Sequence, residues 1–178
     1  APPRPAPPPR PLLFFFNHKT EKTILSGLLG SEMCIRDRPY LTKQYMEDLA
    51  DEILELGATV SGFKLGHLGM YLKTSSDLRH FQNLEALVDV SEWLGVQLWQ
   101  AAFQVEVQGT TGAGDSAYAG FLAELLQGSG PVQTLKMACA VGACNVEDAD
   151  SVRGILARKE ILKRIDQGWQ VSSEVLPS

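Results

Sequence analysis

Apolar residues along the chain recur with two different periods, and the change of period divides it. In "TKQYMEDLADEILELG", Tyr45, Met46, Leu49, Ile53 and Leu56 fall on one helical stripe. Thr42 stands where an N-cap belongs and Gly57 where a helix stops. "TVSGFKLG" and "GMYLKT" then read as two short strands around a tight turn. "SSDLRHFQN" reads as loop, and "LEALVDVSEWLG" as a weak helix or an irregular excursion. In "LWQAAFQVEVQG", Phe103, Val105 and Val107 alternate with Gln104 and Glu106, the period of an extended segment. Helical spacing returns at Ala117, Phe121, Leu122, Leu125 and Leu126. Pro131 opens "PVQTLKMACAVGACNVEDA", apolar nearly all round and therefore expected to be deeply buried. "GILARKEILKRIDQG" reads as a last amphipathic helix. Strands alternating with helices predict an α/β layer fold.

The first thirty-eight residues break this order. Seven of the ten prolines lie within "APPRPAPPPRP", which excludes helix or central strand there. "LLFFFNHKTEKTILSGLLG" keeps no sustained period. "SEMCIRDR", Ser31 to Arg38, back-translates to a string containing AGATGTGTATAAGAGACAG, which resembles a transposon-end adapter. Residues 1–38 are therefore expected to be non-native, chimeric and irregular, and a coherent domain is expected over residues 39–178.

Composition changes the picture only by exclusion. A net charge of −5 gives no basic field for nucleic acid. No apolar run reaches the length of a membrane span, and "LLFFF" is far too short for one. The three cysteines, Cys34, Cys139 and Cys144, show no metal-type pairing and point to free thiols in a reducing cytoplasm.

The candidate chemistry lies in "GTTGAGDSAYAG", Gly109 to Gly120. Glycine loses more backbone freedom on ordering than any other residue, so such a loop calls for a compensating interaction; an anion is the natural one. Gly109 to Ser116 fits G-x-x-x-x-G-x-[ST], but Asp115 replaces the lysine of the P-loop. A carboxylate is of use beside a phosphate only if it takes a proton from an attacking hydroxyl. The backbone N–H groups of Gly112, Ala113 and Gly114 open the following helix and form an anion hole. An anion hole with a base one residue beyond it is what phosphoryl transfer to an alcohol needs.

At these residues the chain resembles the PfkB (ribokinase-like) carbohydrate kinases. "GTTGAGD" matches their D-T-x-G-A-G-D signature at every position but the first. "FKLGHLGMYL" is similar to their K-x-G-x-x-G strand–turn–strand, and "ACAVGACNVEDADSVRGI" to the buried segment closing the adenosine site. The resemblance covers nearly all of residues 39–170. It implies the C-terminal, nucleotide-binding portion of a three-layer α/β/α sandwich with a parallel sheet. It implies Asp115 as catalytic base, Gly112, Ala113 and Gly114 as anion hole, and Lys64, Gly66 and Gly69 as the nucleotide-side turn. Thr111 and Cys139 are further nucleotide-side candidates; Thr111, Asn145 and Gly154 also stand where groups of a monovalent-cation site would be. Gly109 replaces the signature's aspartate and cannot supply that site's carboxylate. ATP, Mg²⁺ and a small sugar are the implied ligands, and a homodimer is the implied assembly of the parent. No metal-ligand set is read from the sequence: the N-x-x-E motif that helps organise Mg²⁺ is missing. Members run to about twice this coherent length, so this chain is expected to lack the sugar pocket and to be inactive alone. A nucleotide-binding regulatory module is the other class, against which Asp115 argues. His67 and His80 read as solvated, and Trp93 and Trp99 as packing residues.

Overall fold

The computed structural model describes residues 12–17, the latter by backbone alone, and residues 42–82, 84–150 and 152–175. Four strands form one sheet in the order β1-β2-β3-β4. They are β1 (Leu12–Asn17), β2 (Ala58–Lys64), β3 (Met70–Thr74) and β4 (Gln97–Gln100), and every neighbouring pair is antiparallel. The parallel sheet implied above is thus not seen among the described residues. A short turn joins β2 to β3, and residues 75–96 return the chain to β4; neither connection is the helical crossover that parallel neighbours require.

Helix α1 (Lys43–Glu55) begins where the sequence places it. The Thr42 side chain accepts the Tyr45 N–H at 3.1 Å, and Gly57, at φ 95°, carries the chain out. Met46, Ala50 and Ile53 are buried, but Leu56 is 81% exposed. It is the C-cap, already turning off the stripe.

The two faces of the hairpin serve two cores. On one face Phe63 stacks on its cross-strand partner Tyr71 at 5.9 Å between centroids, against Met46, Ala50 and Ile53 of α1. On the other, Val60, Met70 and Leu72 meet Phe121 and Leu125 of α3 (Ala113–Leu126) and Leu135 and Ala138 of α4 (Pro131–Val146). Ile161 of α5 (Arg158–Asp166) joins this second core, as does Trp93 of the single-turn helix α2 (Val90–Trp93). Layers therefore run α1, sheet, α3–α4, the α/β/α order expected. Burying each such side chain is worth about 1.5–3 kcal/mol, so both faces are held by apolar burial rather than by the ladder.

Two segments depart from the pattern. Residues 1–38 were expected to be irregular, yet Leu12–Asn17 pair with β2 from Leu12↔Lys64 to Phe16↔Val60. An aperiodic apolar run of this length suffices to add a strand to a free edge. The adapter-like Ser31–Arg38 and Cys34 lie outside the described residues. In the extended stretch, only Gln97–Gln100 is strand; Phe103 makes an isolated bridge to Val171, and Val107 is exposed. Gln104 N–H donates to Gln170 and Gln108 N–H to Val146, so backbone partners come from the chain's end and from α4.

Candidate active site

The glycine loop is built from α4 upward. The N–H groups of Gln108 and Gly109 donate to the Val146 carbonyl at 2.8 and 3.3 Å. A Cβ on Gly109 would lie 3.2 Å from Ala149 Cα, so the loop's base rests directly on the backbone beyond α4. Gly112, at φ 77°, makes the left-handed turn into α3, and Ser116 N–H closes the first helical bond on its carbonyl at 2.8 Å. Ala113 N–H donates to Thr110 O at 3.3 Å, while the amides of Gly112, Gly114 and Asp115 have no backbone acceptor among the described residues. The helix end thus presents free donors with the positive end of its dipole. Of the three residues the resemblance implies as an anion hole, Gly112 and Gly114 offer such an amide, and that of Asp115 joins them.

Ser116 and Ala117 are buried, while Asp115 and Thr111 are exposed beside the loop. Helix α4 presses on this turn. A Cβ on Gly142 would lie 3.1 Å from Ala117 Cβ and 3.3 Å from Ala113 O.

The turn expected to face a nucleotide meets the loop through Lys64. Its Nζ lies 2.8 Å from where a Cβ on Gly114 would stand. Burial lowers the Lys64 ammonium pKa, and the nearby Asp115 charge opposes this. Gly66 and Gly69 bracket one 3-10 turn, closed by Leu65 N–H to Gly69 O at 2.8 Å. Gly66 sits at φ 59° in open space. A Cβ on Gly69, by contrast, would collide with Gln100 O and with Ala102 N, so the turn is seated on the end of β4. Trp99 Nε1 donates to Leu68 O at 2.9 Å and pins it further.

Not every candidate gathers here. Cys139 is 7% exposed in the core, its thiol donating to Gln100 O, and burial pushes its pKa up. Its core position is that of a packing residue of α4. Asn145 is buried at the end of α4, and a Cβ on Gly154 would strike Cys144 O, so both lie on the α4 side of Gly109. His80 is not simply solvated: its Nδ1 lies 3.0 Å from Ser75 Oγ. His67 is half-exposed beside Glu174, 3.2 Å away. Sequence reasoning missed Glu124, buried in α3 and held by Arg158 and Ser129; the only signal was an acid among the helix's apolar positions. Among the described residues no helix is long and apolar enough to cross a membrane.

A family model described as pfkB family carbohydrate kinase matches residues 46–156. No curated protein matches the chain significantly by sequence. Solved structures that resemble it include Thermotoga maritima ribokinase, at 22% identity over 70% of this chain and 40% of that one, with a TM-score of 0.51. Arabidopsis thaliana ribokinase, solved with ribose and ATP, matches at 22% identity over 68% and 34%, with a TM-score of 0.55. A nucleoside kinase of Methanocaldococcus jannaschii, an archaeal member of the ribokinase family, matches at 18% over 71% and 38%, with a TM-score of 0.52. These likenesses show a shared fold, and the chain spans only 34–40% of those proteins' length. With the glycine loop, the Lys64 turn and strands β2, β3 and β4 all inside the matched span, the chain belongs to the pfkB family of carbohydrate kinases.

Proposed function

We propose that this chain carries the phosphoryl-donor half and the base of an ATP-dependent kinase acting on a hydroxyl of a sugar or sugar-like molecule. One observation carries the reading: an exposed Asp115 follows the glycine loop at a helix N-terminus whose amides are free. A sugar hydroxyl is a poor nucleophile until its proton is accepted. The Asp115 carboxylate accepts that proton as the hydroxyl oxygen attacks the terminal phosphorus of ATP. The bond to the ADP oxygen breaks, and charge on the moving phosphoryl falls toward the amides of Gly112 and Gly114. Lys64 and the Gly66–Gly69 turn bound the nucleotide side, with Thr111 at the loop's rim.

Mg²⁺ neutralises polyphosphate charge in such reactions. In this reading it would be held by one or two carboxylates and by the phosphates themselves; among the described residues no group of three or more His, Cys, Asp or Glu side chains stands together. Gly109 likewise offers a monovalent cation no carboxylate. The acceptor's pocket belongs, in this reading, to sequence beyond this chain, consistent with its 34–40% share of the ribokinase-like structures. Alone, without that pocket, the chain is expected not to turn over.

The test is a panel of sugars and nucleosides offered with ATP to a longer protein containing this sequence. Phosphorylation of a hydroxyl, lost in Asp115→Asn, is the expected result. Unchanged turnover in Asp115→Asn overturns the base assignment.

A further inference from the structure

The face of the sheet turned away from α3 and α4 carries a cleft of about 460 Å³, inside the range of about 300–1,000 Å³ of small-molecule sites. Tyr71 of β3 and Trp99 of β4 line it and stand opposite one another in the ladder. Both rings are held in place by other groups. Tyr71 stacks on Phe63, and Trp99 Nε1 donates to Leu68 O at 2.9 Å. Tyr71 is 1% exposed, yet its hydroxyl has no hydrogen-bond partner among the described residues. A buried hydroxyl left without an acceptor costs about 1–3 kcal/mol. Phenylalanine would fill the same place in the stack, so packing does not account for the oxygen. Burial, with the charges of Glu47 and Asp51, holds the phenol pKa above its ordinary value, so the group keeps its proton and stays a donor. Glu47 acts on that hydroxyl and also lines the cleft, so the hydroxyl end of the ring is the end beside it.

The rim selects against charge. Lys43 Nζ lies 3.7 Å from Glu47 Oε1, and the Gln97 side-chain amide donates to the same oxygen. An anion entering the cleft would be repelled by Glu47 and a cation by Lys43. A neutral ring bearing hydroxyl groups meets neither obstacle. Its C–H face can lie on the indole, one hydroxyl can accept from Tyr71, and another can donate to Glu47.

We propose that this cleft binds a neutral saccharide, with Trp99 as the platform and the Tyr71 hydroxyl as the donor, at a site separate from the glycine loop. Tyr71 and Trp99 belong to the α1 side of the sheet, whereas the loop opens α3 on the other. Among the described residues, none from the glycine loop or the Gly66–Gly69 turn lines the cleft, so the proposal does not rest on the kinase reading.

The test titrates the full chain with the methyl glycosides of glucose, galactose, mannose and ribose while NMR follows the indole N–H signals of its three tryptophans. At least one glycoside should shift the Trp99 signal saturably and leave that of the buried Trp93 in place. Tyr71→Phe should weaken this binding about 5–10-fold, the loss of one hydrogen bond. Its melting temperature should not fall, because the hydroxyl removed had no partner. The uronate and amino forms of the same sugar, one anionic and one cationic, should bind more weakly than the neutral form. An unmoved Trp99 signal with all four glycosides, or wild-type affinity in Tyr71→Phe, overturns the proposal. Preference for a charged sugar, or a lower melting temperature in Tyr71→Phe, overturns it equally. A glycoside that shifts the amides of Gly112–Asp115 and leaves Trp99 unmoved removes this site while the kinase reading stands.

Discussion

Helix α3 carries an acid at each end, and the two have opposite surroundings. Asp115, in the first turn, is exposed and follows the glycine loop. Glu124, near the last turn, is 1% exposed and has both oxygens occupied. Ser129 Oγ donates to it at 2.7 Å, and Arg158 grips it through Nε and Nη2 at 2.5 and 3.0 Å. Burial pushes the Glu124 carboxyl pKa up, but the hydrogen bonds from Arg158 and Ser129 outweigh this and hold it below its ordinary value. The helix dipole favours an acid at the first position and disfavours one at the second. An acid kept at the unfavourable end by saturated bonds is a tie between α3 and α5. An acid at the favourable end with lone pairs to spare is available for chemistry.

The sharpest way to break this contrast is Asp115→Asn in a longer, catalytically complete protein. Turnover should fall about 10²–10⁴-fold, the span of general base catalysis, while the melting temperature holds. If melting falls and turnover stays, Asp115 is only a helix cap. Next in size, Arg158→Met leaves a buried carboxylate without its cation. Urea unfolding should show a loss of about 2–3 kcal/mol, below the full cost of a broken buried pair because Arg158 itself is half-exposed. The pH dependence has a definite sign. A carboxyl whose folded pKa lies below its ordinary 4.5 adds stability that is complete above 4.5 and is lost as pH falls through the lowered value. The stability gap between wild type and Glu124→Gln should therefore narrow in acid and stay constant at neutral pH. A smaller effect is expected midway along the helix, where Gly120 packs on α4 with space for no methyl: a Cβ there would lie 2.8 Å from Val141 Cγ2. Gly120→Val should cost about 1–2 kcal/mol in the same unfolding measurement. Smallest of all, Leu126→Lys should change stability by no more than about 0.5 kcal/mol, because Leu126 is 66% exposed.

What the sequence foretold follows the range of the interactions involved. The Thr42 cap, the Gly57 stop, the hairpin around Gly66–Gly69, the start of α3 at the glycine loop and Pro131 at the first position of α4 depend on residues within a few positions of one another. All of these were legible. Contacts between distant segments were not. No pattern near Lys64 shows that it will lie on Gly114, and none near Glu124 announces Arg158 thirty-four residues on. Leu126 shares the apolar stripe of α3 with Leu125 yet faces out, because α4 covers only part of that stripe. Cys139 and Asp115 entered one list of candidates on family likeness, and only packing shows that the first is buried and the second exposed. The β1 strand was unreadable for a related reason: pairing needs a partner edge, and an edge has no local signature.

The union of Phe103 with Val171 bears on the order in which the molecule assembles. Those two residues stand sixty-eight positions apart, and the flanking bonds Gln104–Gln170 and Ala102–Ser172 span similar distances. Closing so long a loop costs more chain entropy than closing the hairpin, so this seam, with Phe103 against Trp169, forms after the hairpin and the α3–α4 pair and is the first to part. Amide protons of Gln104 and Ser172 should consequently exchange with solvent well ahead of those of Val60 and Leu72. The glycine loop hangs between this late seam and the end of α4, so its final shape is set last.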